Sequence, residues 1–200
     1  MGKFFILAFF YGVIFTYHLH QLQGEVQSVK FSWTATLCQT SCPKQLEKEF
    51  RKIPGVTDVI TDFGAGQAEL HYQPNAPFSW TPIQRAMQMV GLYIKSMRVK
   101  VHGTIVHNSQ NVTLVSIGDG TRFEIVNAVI PNTQGQSNTY NLSGARALTP
   151  QMRQKFLDAE ALGQEATIEG PLFMPHRAPP LQIVAEQINF SNPNQTPSKK

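Results

Sequence analysis

The sequence predicts an α+β protein in which a βαββαβ unit precedes a small five-stranded β-barrel. In the first half, β-rich alternating stretches and two stretches with apolar residues at helical spacing follow one another in that order. In the second half, β-rich runs dominate, and one helical stretch follows the third of them. We therefore expect a first domain over residues 26–101 and a barrel domain over residues 102–190.

The first domain begins with the alternating strand VQSVKFSWTA, residues 26–35. The segment PKQLEKEFRKI then has helical spacing, and Pro54-Gly55 ends that helix. VTDVITDF and QAELHYQP predict two further strands, TPIQRAMQMVG a second helix, and LYIKSMRVKVHG a fourth strand. We expect both helices on one face of an antiparallel sheet. The residues expected in this core are Val29, Phe31, Trp33, Leu46, Phe50, Ile53, Ile83, Met87 and Val90.

The second domain contains five β-rich runs. VKVHGTIVH, NVTLVSIG and TRFEIVNAVI come first, and Gly118-Asp119-Gly120 is a hairpin signal between the last two. A polar loop over residues 131–145 and a helix over residues 149–160 follow, with Met152, Phe156 and Leu157 facing inward. GQEATIEGPLF and LQIVAEQINF supply two more strands. This topology is similar to an OB-fold, and the polar tail at 191–200 is expected to be disordered.

The N-terminal segment predicts export. Lys3 precedes an apolar run of about fourteen residues, Phe4 to Tyr17, which is signal-peptide length and short for a membrane span. We expect a signal peptide over residues 1–24, cleaved after Gly24, and a periplasmic or secreted protein. The membrane would be a partner only if this segment were retained as an anchor.

The two cysteines of the chain, Cys38 and Cys42, are separated by three residues and stand directly before the first predicted helix. A helix N-terminus favours a thiolate, and soft thiolates select Cu(I), Hg(II) or Zn(II). Two opposed sulfurs suit linear Cu(I) or Hg(II), whereas Zn(II) needs two further ligands. In an exported protein the same pair can instead form a disulfide. The residues leave both states open.

Residues 26–101 resemble a heavy-metal-associated domain, the ferredoxin-like module of copper chaperones, metal-pumping ATPases and periplasmic mercury-binding proteins. The resemblance rests on the strand that leads into the cysteine pair, on Leu46 and Phe50 in the following helix, and on Pro54-Gly55-Val56 and Val90-Gly91-Leu92-Tyr93. It implies a ferredoxin-like fold with a metal ion, Cu(I) above all, held by Cys38 and Cys42. The chain departs from the family's Met-x-Cys-x-x-Cys loop, because Gln39-Thr40-Ser41 separates the thiols.

Other function classes have little support. The 17 basic and 13 acidic residues are scattered, which argues against nucleic acid as a partner. No serine-hydrolase, zinc-protease or phosphate-loop motif is present, so we expect no enzyme. His102 and His107 lie five apart on a strand and should face opposite sides. Met174-Pro175-His176 has soft-ligand residue types, but an ordinary loop is the better explanation of so short a motif.

Two functions follow from these observations. The first is binding of a soft metal ion, Cu(I), for sequestration or for transfer to a protein partner, through the dithiol of Cys38 and Cys42. The alternative is an interaction or adaptor protein. In that case the two cysteines form a disulfide, and the sheet or barrel surface binds a protein partner.

Overall fold

The computed structural model describes residues 26–35, 42–127, 147–173 and 180–191. The predicted signal peptide at 1–24, the loop at 131–145 and the tail beyond Ser191 lie outside these residues. The described chain forms, in order, β1 (Val26–Ala35), α1 (Cys42–Phe50), β2 (Val56–Asp62), β3 (Gln67–Tyr72), α2 (Trp80–Met89), β4 (Leu92–His107), β5 (Val112–Ser116), β6 (Arg122–Val126), α3 (Pro150–Ala161), β7 (Glu165–Phe173), β8 (Leu181–Val184) and β9 (Gln187–Ser191).

The first half is an antiparallel sheet with strand order β2-β3-β1-β4, covered by α1 and α2. The two helices pack against each other, and α2 also packs on β4, so both lie on the same face of the sheet. The Phe31 and Phe50 rings meet edge to face at 5.0 Å between centroids. All nine side chains expected in this core are buried, which confirms the predicted packing.

The second half is a closed five-stranded barrel with strand order β4-β5-β6-β8-β7, in which β7 pairs back onto β4. The β6–β8 pair is parallel, and the other pairs are antiparallel. Helix α3 follows the third barrel strand, as predicted, and its N-cap Thr149 accepts a hydrogen bond from the Met152 backbone N–H. Phe156 is fully buried, whereas Met152 and Leu157 are only half-buried.

Two strand predictions are corrected by the structure. The separately predicted fourth strand and first barrel strand are one 16-residue strand, β4, so the expected boundary at 101/102 falls inside a strand. Gly103 lies within this strand, and an added Cβ there would come 2.4 Å from the Val115 carbonyl oxygen. The last predicted strand is divided into β8 and β9. Between them the Ala185 backbone N–H donates a hydrogen bond to the Val126 carbonyl oxygen, and β9 then pairs with β7.

In addition to the shared strand β4, a second contact joins the two halves. Asp119, in the hairpin between β5 and β6, accepts a hydrogen bond from the Phe78 backbone N–H at 3.1 Å. The same carboxylate accepts hydrogen bonds from the hydroxyls of Ser116 and Thr121, which hold the hairpin in shape. The Phe78 ring lies between Tyr72 of the first half and Phe123 of the barrel, with centroid distances of 6.2 and 6.1 Å. This buried contact fixes the segment that leads into α2.

We predict that Gly170→Ala destabilises the barrel by about 3 kcal/mol. An added Cβ would stand 1.8 Å from the Val184 carbonyl oxygen, and backbone must move to admit it. Gly64→Ala is the matched control, because its Cβ would meet only the end of the Asp62 side chain at 3.4 Å. Chemical denaturation gives both free energies of unfolding, and equal losses in the two variants would contradict the close approach of β7 and β8.

We predict that Tyr72→Phe leaves the stability at pH 7 unchanged or raises it by up to about 1 kcal/mol. The buried Tyr72 hydroxyl has no hydrogen-bond partner in the part of the chain that is described. Burial also raises the pKa of Tyr72 above its usual value of 10.0. The neutral form is therefore favoured in the folded state, so this group removes stability as the pH rises past its usual pKa, by at most about 1.4 kcal/mol per pH unit.

The measurement is urea denaturation of both proteins at pH 7 and at pH 11. The variant should lose less stability than the wild type between these two values. Tyr93→Phe is the control, since Tyr93 is 62% exposed. A clear loss of stability in Tyr72→Phe at pH 7 would show that the hydroxyl is hydrogen-bonded.

Candidate functional site

Four segments meet at one end of the first sheet. Strand β1 ends at Ala35, which pairs with Leu92 at the start of β4. The hairpin between β2 and β3 reaches the same end, because the Trp33 N–H donates to the Gly66 carbonyl at 2.9 Å. Helix α1 starts at Cys42, after the connection formed by residues 36–41. We call this part of the molecule the thiol end.

The structure places Cys42 at the first residue of α1. Cys38 follows the last residue of β1 by three positions and lies outside the described residues, and the Cys42 side chain is not described either. The described backbone therefore places Cys42 at a helix N-terminus at the thiol end. Unpaired N–H groups and the helix dipole at such a position favour the thiolate over the thiol.

Helix α1 is fixed to the sheet by Leu46 and Phe50, both fully buried. Next to Phe50, the buried Glu49 accepts hydrogen bonds at its Oε1 from Gln45 Nε2 and Lys52 Nζ, each at 2.7 Å. The Lys52 ammonium thereby holds the pKa of Glu49 below its usual value of 4.5, although partial burial opposes this shift. The helix that begins at Cys42 is thus anchored by a packed face and by an ion pair beyond its last turn.

Large apolar side chains are exposed around the thiol end. Phe63 in the β2–β3 hairpin is 40% exposed, Met89 at the end of α2 is 63% exposed, and Tyr93 at the start of β4 is 62% exposed. Their backbone positions follow from the pairing of Thr34 with Tyr93 and from the hairpin contact described above. We call these three residues the apolar rim. The sequence did not predict this exposure, since spacing does not show which apolar residues a fold leaves uncovered.

The histidines of the described chain do not belong to a metal-binding cluster. His71 Nε2 lies 3.5 Å from Glu69, and His102 contacts Glu165 at 2.9 Å and Thr167 at 3.0 Å. His107 pairs with Glu160 of α3. Among the described residues, which include neither cysteine side chain, no three His, Cys, Asp or Glu residues are grouped to hold a metal ion. Met174-Pro175-His176 lies outside the described ranges. None of the described helices is long and apolar enough to cross a membrane.

Comparisons with known proteins add little to this geometry. No family model matches the chain, and no curated protein matches it. Among solved structures, it is similar to the solution structure of a copper form of a CopA variant from Bacillus subtilis. The identity is 21%, the match covers 36% of this chain and 92% of that chain, and the TM-score is 0.30.

We predict that Lys52→Met makes the stability less sensitive to acid. The pKa of Glu49 is depressed in the folded state, so its stabilising contribution is present above the usual pKa and is lost as the pH falls below it. Removal of the Lys52 ammonium removes the main cause of the depression. Denaturation at pH 7 and pH 3 should show a smaller acid-induced loss in Lys52→Met than in the wild type. The exposed Lys48→Met is the control, and an equal change in both variants would contradict the pairing.

Proposed function

We propose that this chain is an exported, non-enzymatic protein that binds a soft metal ion, Cu(I), through Cys38 and Cys42, for sequestration or transfer to a protein partner. The observation that carries the proposal is the placement of the CxxxC segment. Cys42 is the first residue of a well-anchored helix, and Cys38 stands in the short connection that leads to it. Both thiols therefore belong to one short stretch of sequence, whose last residue, Cys42, begins α1.

The chemistry of two thiolates favours a soft, low-coordination ion. Cu(I) accepts two opposed sulfurs, whereas a structural Zn(II) site needs four ligands. Within the described residues, no carboxylate or imidazole cluster supplies the missing ligands. Cu(I) is thus assigned from the chemistry of the two sulfur donors. For the site to form, residues 36–41 must bring Cys38 toward Cys42.

The strand orders support the finer fold assignment within the same proposal. The order β2-β3-β1-β4 with two helices on one face is the ferredoxin-like arrangement of a heavy-metal-associated domain. The barrel order β4-β5-β6-β8-β7, with a helix between β6 and β7, is that of an OB-like barrel. The signal peptide and the export that it implies remain part of the proposal.

A second function is favoured by the apolar rim. Phe63, Met89 and Tyr93 are exposed on elements that reach one end of the sheet, and large apolar side chains that a fold leaves uncovered are candidates for a protein-binding surface. In this case Cys38 and Cys42 form a disulfide that fixes the connection before α1, and the rim binds a protein partner without metal.

Anaerobic titration of the reduced protein against a competing Cu(I) chelator tests the metal proposal. We expect one Cu(I) per chain, and we expect Cys38→Ser and Cys42→Ser each to weaken binding by several orders of magnitude. The physical reason is that a two-coordinate ion keeps only one strong bond in either variant. Ser41→Ala, which leaves both thiols intact, is the matched control and should bind as the wild type does.

Thiol counting on protein taken from its native compartment separates the two functions. Two reactive thiols are expected for a metal site, and none for the disulfide-containing adaptor. Equal Cu(I) affinity in the wild type and Cys38→Ser would overturn the metal proposal. Both serine variants should keep the fold, because the buried core lies elsewhere and a disulfide across so short a loop contributes little stability.

A further inference from the structure

The last strand, β9, lies at an edge of the sheet. On one side it pairs with β7, from Glu165 opposite Ser191 to Glu169 opposite Gln187. On its other side no strand of the described chain pairs with it, because β9 ends the strand order. Alternate residues of an edge strand direct their backbone N–H and C=O groups away from the sheet, where another strand can bind them. β9 therefore presents backbone donors and acceptors that the described fold does not use.

The strand at the opposite edge, β2, is protected against pairing with another chain. Its register shifts between Val56 and Asp58, and the Asp58 carboxylate accepts a hydrogen bond from the Val59 backbone N–H at 2.9 Å. Asp62 adds a second exposed carboxylate to this strand. Bulges and charges on an edge strand are common means of preventing edge-to-edge association. The two edges of the sheet are therefore not equivalent.

β9 has none of these protections. Its sequence, QINFS, contains no charged residue and no proline, and its register with β7 is continuous. Ile188 pairs with Ile168 of β7, which is fully buried. Phe190 pairs with the buried Ala166, and its ring meets that of Phe156 at 5.6 Å between centroids. Phe190 is nevertheless 37% exposed, so the apolar side of β9 is incompletely covered by the described chain.

The sequence of β9 is complementary to itself in one antiparallel register. When two copies pair about a two-fold axis at Asn189, Ile188 of each copy lies opposite Phe190 of the other. In the same register, Gln187 of each copy lies opposite Ser191 of the other. All five residues are then paired, each apolar side chain meets another apolar side chain, and no charge lies opposite a like charge.

We propose that β9 is the interface of a symmetric homodimer, in which it pairs antiparallel with β9 of a second copy about a two-fold axis at Asn189. Ile188 and Phe190 of both copies form one apolar strip, which covers the exposed part of the Phe190 rings. Because a contact between two short strands is small, we expect a weak dimer that forms at micromolar concentrations.

This interface is independent of the metal-binding proposal. Through β7, β9 lies beside residues 100–104 of β4, whereas the thiol end lies at Leu92, where β4 begins. The dimer contact therefore includes neither the apolar rim nor the first residue of α1.

Sedimentation velocity of the reduced full chain, from about 1 μM to about 500 μM, measures the association. We expect a concentration-dependent equilibrium between monomer and dimer. Asn189→Asp places two carboxylates opposite each other at the axis, so it should weaken the dimer about fivefold. Gln187→Glu is the matched control, because it adds the same charge per chain but places that charge opposite Ser191. This control should dimerise as the wild type does.

Disulfide cross-linking tests the register. In chains that carry Cys38→Ser and Cys42→Ser, Asn189→Cys places two thiols across the axis, where opposite Cα atoms are about 4.5–5.5 Å apart. This separation lies within the range of a disulfide, so oxidation should link two chains. Gln187→Cys is the control. Its two copies would lie about 14 Å apart, at roughly 3.4 Å per residue along the strands, and should not be linked.

A monomer at every concentration would overturn the proposal. In that monomer, slow amide hydrogen exchange at every residue of β9 would assign the edge to another segment of the same chain, and fast exchange at alternate residues would leave it to a different protein. Linkage through Gln187→Cys and not Asn189→Cys, or a dimer that folded Asn189→Asp does not weaken, would also overturn it. The chain without cysteines should dimerise as the wild type does, so a failed Cu(I) titration and a missing dimer remain distinguishable.

Discussion

The structure depends on one constraint, the continuity of β4. Its first part pairs with β1, its last part pairs with β5, and its central residues pair with β7 on the other edge. Val101 illustrates the consequence, because it is fully buried and pairs with Val26 of the first sheet and with Ile168 of the barrel. The buried apolar side chains of both halves accordingly form one cluster. With a strand in place of a linker, the halves cannot rotate without breaking ladder hydrogen bonds.

That constraint explains which parts of the fold could be predicted from sequence. Local periodicity located the helices and most strands, because one buried face repeats every 3.6 or every 2 residues. It could not show that one strand serves two sheets, since residues 92–107 alternate in the same way whichever partner they have. Nor could it show that the strand is interrupted after Val184, because the interruption depends on a hydrogen bond from the Ala185 N–H to the Val126 carbonyl, which is distant in sequence.

The thiol end and the groove of about 790 Å³ between α2 and the barrel differ in the same respect. Cys38 and Cys42 could be named as a candidate site from sequence, because they are close in the chain and their chemistry is carried by residue type. The groove lined by Trp80 and Arg122 could not be named, because these residues come from different halves and line one cavity only after the barrel has closed. Asp119 had a recognisable role in a hairpin, yet its bond to the Phe78 N–H spans 41 positions of sequence and has no local signal.

Helix α2 connects these two sites physically. Its first residues line the groove, its last residue belongs to the apolar rim, and Ile83, Ala86 and Met87 bury its middle against the sheet. A helix packed in this way cannot shift easily, because a close-packed core resists small displacements. The thiol end and the groove are therefore held at a fixed separation on one rigid frame.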